Sequence, residues 1–129
     1  FGDKDIQQRA IIEHMVATLK MPIAIVPCPI VRNEHGLALS SRNAYLTSDT
    51  MPMALAIPKA LAMASACQTA HDFSRMVSQT LRDSGVNMDY AAVFRPINRC
   101  LVDGRIQSGD YGCVAARVGD VRLIDNHGF

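Results

Sequence analysis

The 129 residues are enough for one domain with a core of its own, 49% of them hydrophobic and 19% charged. The net charge of +1, with acids and bases interspersed, argues against a general nucleic-acid binder, which needs a basic face. The longest apolar run, residues 21–31, is broken by three prolines (Pro22, Pro27, Pro29) and is too short to span a bilayer.

The chain opens on Gly2-Asp3-Lys4-Asp5, ahead of an apolar pattern at Ile6, Ile12, Met15, Val16 and Leu19. That spacing predicts a helix over 5–19, with Asp5 as N-cap and Gln8 completing a capping box. The free N–H groups of a helix start favour a phosphate, and Lys4 adds a full charge while Gly2 permits close approach. A capped helix with a solvated lysine explains the same four residues. Gln7 and Gln8 project about 100° apart on a helix, so only one can face a cleft. Its amide could bind a hydroxyl or carboxylate.

Residues 23–26 read as a short buried strand closed by prolines. Loop, helix and strand together make half of a β-α-β unit whose first strand is missing. With Phe1 in place of a methionine, the expectation is a piece of a longer protein. An uncovered strand edge and helix face then make residues 1–30 mobile, rearranged or self-associating.

Residues 31–46 read as a loop with a sharp turn at Gly36. Within it, Ser40-Ser41-Arg42-Asn43 offers hydroxyls and a guanidinium in series, a donor set suited to a polyphosphate. An exposed polar loop is the alternative. Thr47 is expected to cap a short helix that Pro58 either ends or restarts, with residues 59–67 helical. Residues 71–83 form a further helix, with a stripe of Phe73, Met76, Val77 and Leu81 and a stop at Gly85. Strands are expected over 90–94, 112–118 and 121–125, the last two joined by a primed turn at Gly119-Asp120. The fold class is α+β: helices packed on a three-stranded antiparallel sheet.

Cys28, Cys67, Cys100 and Cys113 are widely spaced, without a C-x-x-C pair or a histidine at zinc spacing. They are expected to be reduced and mostly buried. The four histidines (His14, His35, His71, His127) are scattered and expected at the surface. No metal site is expected, no secretory pattern is visible, and the cytoplasm is the expected compartment.

The segments Phe1–Gln8, Pro29-Ile30-Val31-Arg32, His35–Leu46 and Val118–Asn126 closely resemble the pantothenate synthetases, or pantoate–β-alanine ligases, in the same order and spacing. The resemblance implies that residues 1–30 end a Rossmann-like nucleotide-binding domain and that residues 31–129 form its C-terminal lid. It implies ATP as co-substrate, Mg²⁺ carried by the ATP phosphates, pantoate and β-alanine as small-molecule partners, no nucleic acid or membrane, and a homodimer of the complete protein. Gly2, Asp3, Lys4 and Asp5 match an ATP-site motif, and Gln8 matches a pantoate-binding glutamine. Val31 matches a residue that contacts adenine through its backbone. Leu39, Ser40, Ser41 and Arg42 match the family's counterpart of the synthetase KMSKS loop, so Lys4, Ser40, Ser41 and Arg42 are the expected catalytic groups. The family's H-x-G-H segment is absent from these residues, which implies no activity for this chain alone. His35 stands where the family commonly has an acid. The competing readings are another adenylate-forming relative, or a non-catalytic module that binds nucleotide or a partner.

Overall fold

A computed structural model describes all 129 residues. Its elements run α1 (Ile6–Thr18), α2 (Met51–Ala64), α3 (Ala70–Asp83), β1 (Asn87–Arg95), β2 (Cys100–Val102), β3 (Tyr111–Val118) and β4 (Val121–Gly128), with 3-10 turns at Asp3–Asp5 and Ser41–Tyr45. The fold is α+β, as expected, but the sheet has four antiparallel strands, ordered β2-β1-β3-β4. The extra strand, β2, pairs with β1 through Val93–Val102, Phe94–Leu101 and Arg95–Cys100. Three residues are too few for an alternation pattern to reveal.

Helices α2 and α3 cover one sheet face. Phe73, Val77 and Leu81 of α3 meet Ile57, Ala60 and Leu61 of α2 and Val93, Val114, Ala116 and Val118 of the sheet in one buried cluster. The small residues of α2 bring backbones close, and this packing overrides the roughly 3 kcal/mol helix penalty of a proline. Consequently α2 runs unbroken through Pro58, where the sequence pointed to a stop or restart. The pair Thr47–Thr50 opens it: each backbone N–H donates to the other's hydroxyl, at 2.8 and 3.3 Å.

Thr69 caps α3 by accepting the Asp72 N–H at 3.1 Å. Gly85, at φ +70°, ends it while the Val86 N–H donates to Leu81 O. Met76 is 38% exposed and lies outside the buried stripe, which is Ala70, Phe73, Val77 and Leu81. Gly112 of β3 admits the ring of Phe73: a Cβ built there would lie 2.5 Å from Phe73 Cζ. At the end of the sheet Arg95 makes a bidentate ion pair with the buried Asp110, both bonds 2.7 Å long.

The other sheet face is only partly covered. Ile6 and Ala10 of α1 pack on Phe94 and Cys113, flanked by Tyr90 and Tyr111. Of the expected α1 stripe, Ile6 and Val16 are buried, whereas Met15 and Leu19 are exposed. Residues 23–26 form no strand, and Ile23 and Val26 are more than half exposed. A buried parallel strand needs neighbours on both edges and cover on both faces. Here the segment has only a bond from the Phe1 amino group to Val26 O and a Gly2–Cys28 bridge just beyond its end. The cysteines are all free, and Cys28 and Cys100 are exposed rather than buried. Burial pushes the Cys113 thiol up to about 12.

Candidate active-site wall

Strand β4 organises the site. Successive side chains of a strand point to opposite faces. Asp125 therefore reaches one segment and Asn126 another. The Asp125 carboxylate accepts both Arg32 Nη1 (2.7 Å) and Nη2 (2.9 Å). Arg32 Nη1 also donates to Gly36 O, tying the loop to itself. That loop is a tight hairpin: Leu39 N donates to Val31 O, Asn33 N to Leu37 O, and the Asn33 carboxamide accepts the N–H groups of His35 and Leu37. Gly36 at the turn has φ +84°, which explains a glycine there.

On the other face, Asn126 Nδ2 donates to Asp3 O (2.7 Å) and Lys4 O (3.0 Å). The two polar clusters, about 35 residues apart in the chain, thereby meet. Lys4 Nζ donates to Ala38 O and Leu39 O, each at 3.3 Å. Burial there holds the Lys4 pKa below its ordinary value. Asp125 and Asp5 oppose that shift, and Arg32 and Arg42 add to it.

The remaining expected site residues fall around this junction. Asp3 N donates to Cys28 O, and its carboxylate lies 2.8 Å from Arg9 Nε. Asp5 precedes α1 but makes no side-chain cap, so the capping box with Gln8 does not form. Gln8 is exposed and lines a small cavity of about 120 Å³ with Lys4, Tyr90, Asp125 and Asn126. Gln7 is half-buried, its side-chain oxygen 3.5 Å from the Tyr90 hydroxyl. Val31 is 64% exposed and gives its carbonyl to Leu39 N. Ser40 caps the 3-10 turn by accepting Arg42 N–H at 3.2 Å. Ser41 and Arg42 are exposed, and Arg42 borders a cleft of about 650 Å³ that also holds Tyr45, Asp120 and Arg122.

Lys4, Ser40, Ser41 and Arg42 are of the donor types a polyphosphate requires, but Lys4 lines the small cavity whereas Arg42 borders the separate cleft. No three His, Cys, Asp or Glu side chains converge as a metal-ligand group. Arg32, Asp125 and Asn126 were not singled out as site residues in the sequence. Two adjacent polar residues at the end of the apolar strand Val121-Arg122-Leu123-Ile124 were the signal that could have found the latter two.

The profile of the pantoate-beta-alanine ligase family matches residues 1–128. A pantothenate synthetase from Acidothermus cellulolyticus is 41% identical over 98% of this chain, and one from Rhodopirellula baltica 42% identical over the same share. The chain covers 44% and 46% of those two relatives. Among solved structures, a pantothenate synthetase from Thermus thermophilus superposes with a TM-score of 0.88 at 35% identity, over 99% of this chain and 48% of that one. A Francisella tularensis pantoate-beta-alanine ligase, complexed with beta-gamma ATP and beta-alanine, superposes at 0.71 and 28% identity, over 98% of this chain and 41% of that one. The chain spans a little under half the length of the relatives it matches, and over that span it belongs to the pantoate-beta-alanine ligase family.

Proposed function

We propose that this chain supplies one wall and the lid of a site that joins pantoate to β-alanine at the expense of ATP. Residues 1–30 act as the end of the nucleotide-binding domain and residues 31–129 as the lid. A segment carrying the family's H-x-G-H motif, in the same or another chain, completes the site. A homodimer formed through that segment, in the cytoplasm, is the working assembly.

In the first step a pantoate carboxylate oxygen attacks the α-phosphorus of ATP. The bond from that phosphorus to the bridging oxygen breaks, and pyrophosphate leaves. In the second, the β-alanine amine attacks the acyl carbon of the adenylate, AMP departs, and the amine proton goes to solvent. Lys4 and Arg42 offset the charge that develops on the phosphates, and Ser40 and Ser41 donate to their oxygens. The backbone at Gly2, Asp3 and Leu39 lines the phosphate path, and Asp5 orients Lys4. Gln8 holds pantoate, and the Val31 backbone meets adenine. Mg²⁺ held by the ATP phosphates would screen their charge.

The observation that carries this reading is the seating of Lys4 Nζ on the carbonyls of Ala38 and Leu39, which brings two clusters distant in the chain into contact. The test is AMP formation from ATP, pantoate and β-alanine with Mg²⁺, for this chain mixed with a separately produced H-x-G-H segment. AMP that requires all three substrates and both polypeptides supports the reading. Absence of AMP from a folded, associated mixture overturns it.

A further inference from the structure

We infer that Asp125 and Asn126 are positioning residues: as neighbours on β4 they hold the loop 31–39 and the Asp3–Asp5 turn against each other, and so set where Lys4 stands relative to Leu39–Arg42. The inference rests on the ligase reading for its functional meaning, but the geometry is independent of it. Asp125 grips the loop through two bonds to Arg32, and Asn126 grips the turn through two bonds to main-chain carbonyls. Main-chain carbonyls fix backbone position, whatever side chains Asp3 and Lys4 carry. The two grips are themselves linked, because Asn126 N donates to Asp125 Oδ1 at 2.8 Å and Arg32 Nη2 reaches Asn126 O at 3.3 Å.

Apolar packing anchors each segment separately, Leu37 in the main core and Ile6, beside the turn, on Phe94 and Cys113, but it does not join the two. In the loop only Leu37 and Ala38 are buried, and in the turn no residue is. Asp125 and Asn126, in contrast, are each 3% exposed. An apolar pair would be the more stabilising filling for such positions, since burying a charge costs more than its ion pair commonly returns. What the polar pair provides instead is direction. A bidentate guanidinium–carboxylate pair and a two-acceptor amide each permit one arrangement of their partners. A reacting group misplaced by about 1 Å can cost roughly 10²-fold in rate, so such fixing matters at a phosphate-transfer site.

The test reads Lys4 directly. With lysine side chains labelled at the ε-carbon, the chain gives three resonances, Lys4, Lys20 and Lys59. Asn126→Ala changes no charge. The Lys4 titration midpoint should therefore rise toward that of an ordinary lysine as the ammonium leaves its buried seat and regains water. Asp125→Asn separates two causes by sign. Loss of the Asp125 charge alone lowers the Lys4 midpoint further, whereas release of the loop raises it. The charged neighbours that enter this balance are Asp5, Asp125, Arg32 and Arg42.

In the mixed assay, Asn126→Ala and Arg32→Lys should lower kcat on the order of 10- to 10²-fold and raise the KM for ATP by much less. A folded Asn126→Ala chain whose Lys4 titrates as in the wild type, or whose kcat stays within about twofold, overturns the inference. Should Asn126→Ala fail to fold, Arg32→Lys decides by the same criteria, because Arg32 is one-third exposed and keeps its charge. If the wild-type mixture forms no AMP, the ligase reading fails while the Lys4 titration still decides the clamp.

Discussion

The α2–α3 face of the sheet and the segment 1–39 are built on different physics. The former is a continuous apolar cluster in which Phe73, Val77, Leu81, Val93 and Val118 are each fully buried. The latter carries most of the candidate site yet buries few side chains, and leaves Ile11, Leu19, Ile23, Val26 and Val31 more than half exposed. It is held chiefly by directed polar bonds from Arg32, Asp125 and Asn126 and by the small α1 contact on Phe94 and Cys113. Stability and site geometry are therefore set by largely separate residues. Mutations should sort into two classes with little overlap.

The largest effect should come from the core. Phe73→Ala removes a ring packed edge-on to Phe129, at 5.8 Å between centroids, and should cost about 3–5 kcal/mol of unfolding free energy. Denaturant unfolding checks this. A loss under about 1 kcal/mol would place the core elsewhere.

Arg42→Ala should do the reverse. Its exposed guanidinium makes no bond within the chain, so stability should move by less than about 0.5 kcal/mol. Adenylate formation should fall on the order of 10²- to 10³-fold, by analogy with loss of a charge-stabilising donor. Pyrophosphate release in the mixed assay reads it, and an unchanged rate removes Arg42 from the site.

Gly112→Ala sharpens the contrast within one strand. The added methyl meets the rigid ring of Phe73 and should destabilise by about 1–3 kcal/mol. Thermal unfolding should show a lowered Tm with native-like circular dichroism.

A smaller, pH-dependent effect belongs to Asp110. Its hydrogen bonds from Arg95 hold its pKa below the ordinary carboxylate value, with the Gln107 N–H adding to this and burial opposing it. A depressed folded-state pKa gives stability that is present above the unfolded value of about 3.9 and is lost as pH falls through the folded one. Tm followed from about pH 5 to about pH 2 should drop more steeply below about pH 4 in the wild type than in Asp110→Asn. Parallel curves would show that the pair contributes nothing to acid sensitivity.

The smallest effect is expected at Ile23→Ser, within about 0.5 kcal/mol of wild type, because the side chain is 53% exposed. A clear loss of stability there would mean that residues 21–27 are packed in solution, and the division into two regions would fail.

Much of the fold was legible in the residues. Helix α3 follows from its 3–4 spacing and from Gly85, and the β3–β4 hairpin from Gly119-Asp120, where φ is +58° at Gly119. Residue type made Lys4 and the Ser40–Arg42 turn candidate phosphate clusters while a capped helix and an exposed polar loop explained the same residues. Other features were hidden for physical reasons. Pro58 misleads because local propensity is overridden by burial of Ala54, Ile57 and Leu61 around it. Residues 23–26 mislead because an apolar run states a need for cover without providing it. Met15, Leu19 and Met76 have the right spacing but no neighbour to meet.

The sequence by itself determined the local chemistry: which segments coil, where the chain turns, and which side chains can donate to an anion. Only the tertiary structure decided that Lys4 would rest on the carbonyls of Ala38 and Leu39, and that Asp125 and Asn126 would bind the two segments from opposite faces of one strand. Periodicity acts over a few residues. The Asn126–Asp3 bond joins residues 123 positions apart and forms only once the folded sheet brings β4 beside the opening turn.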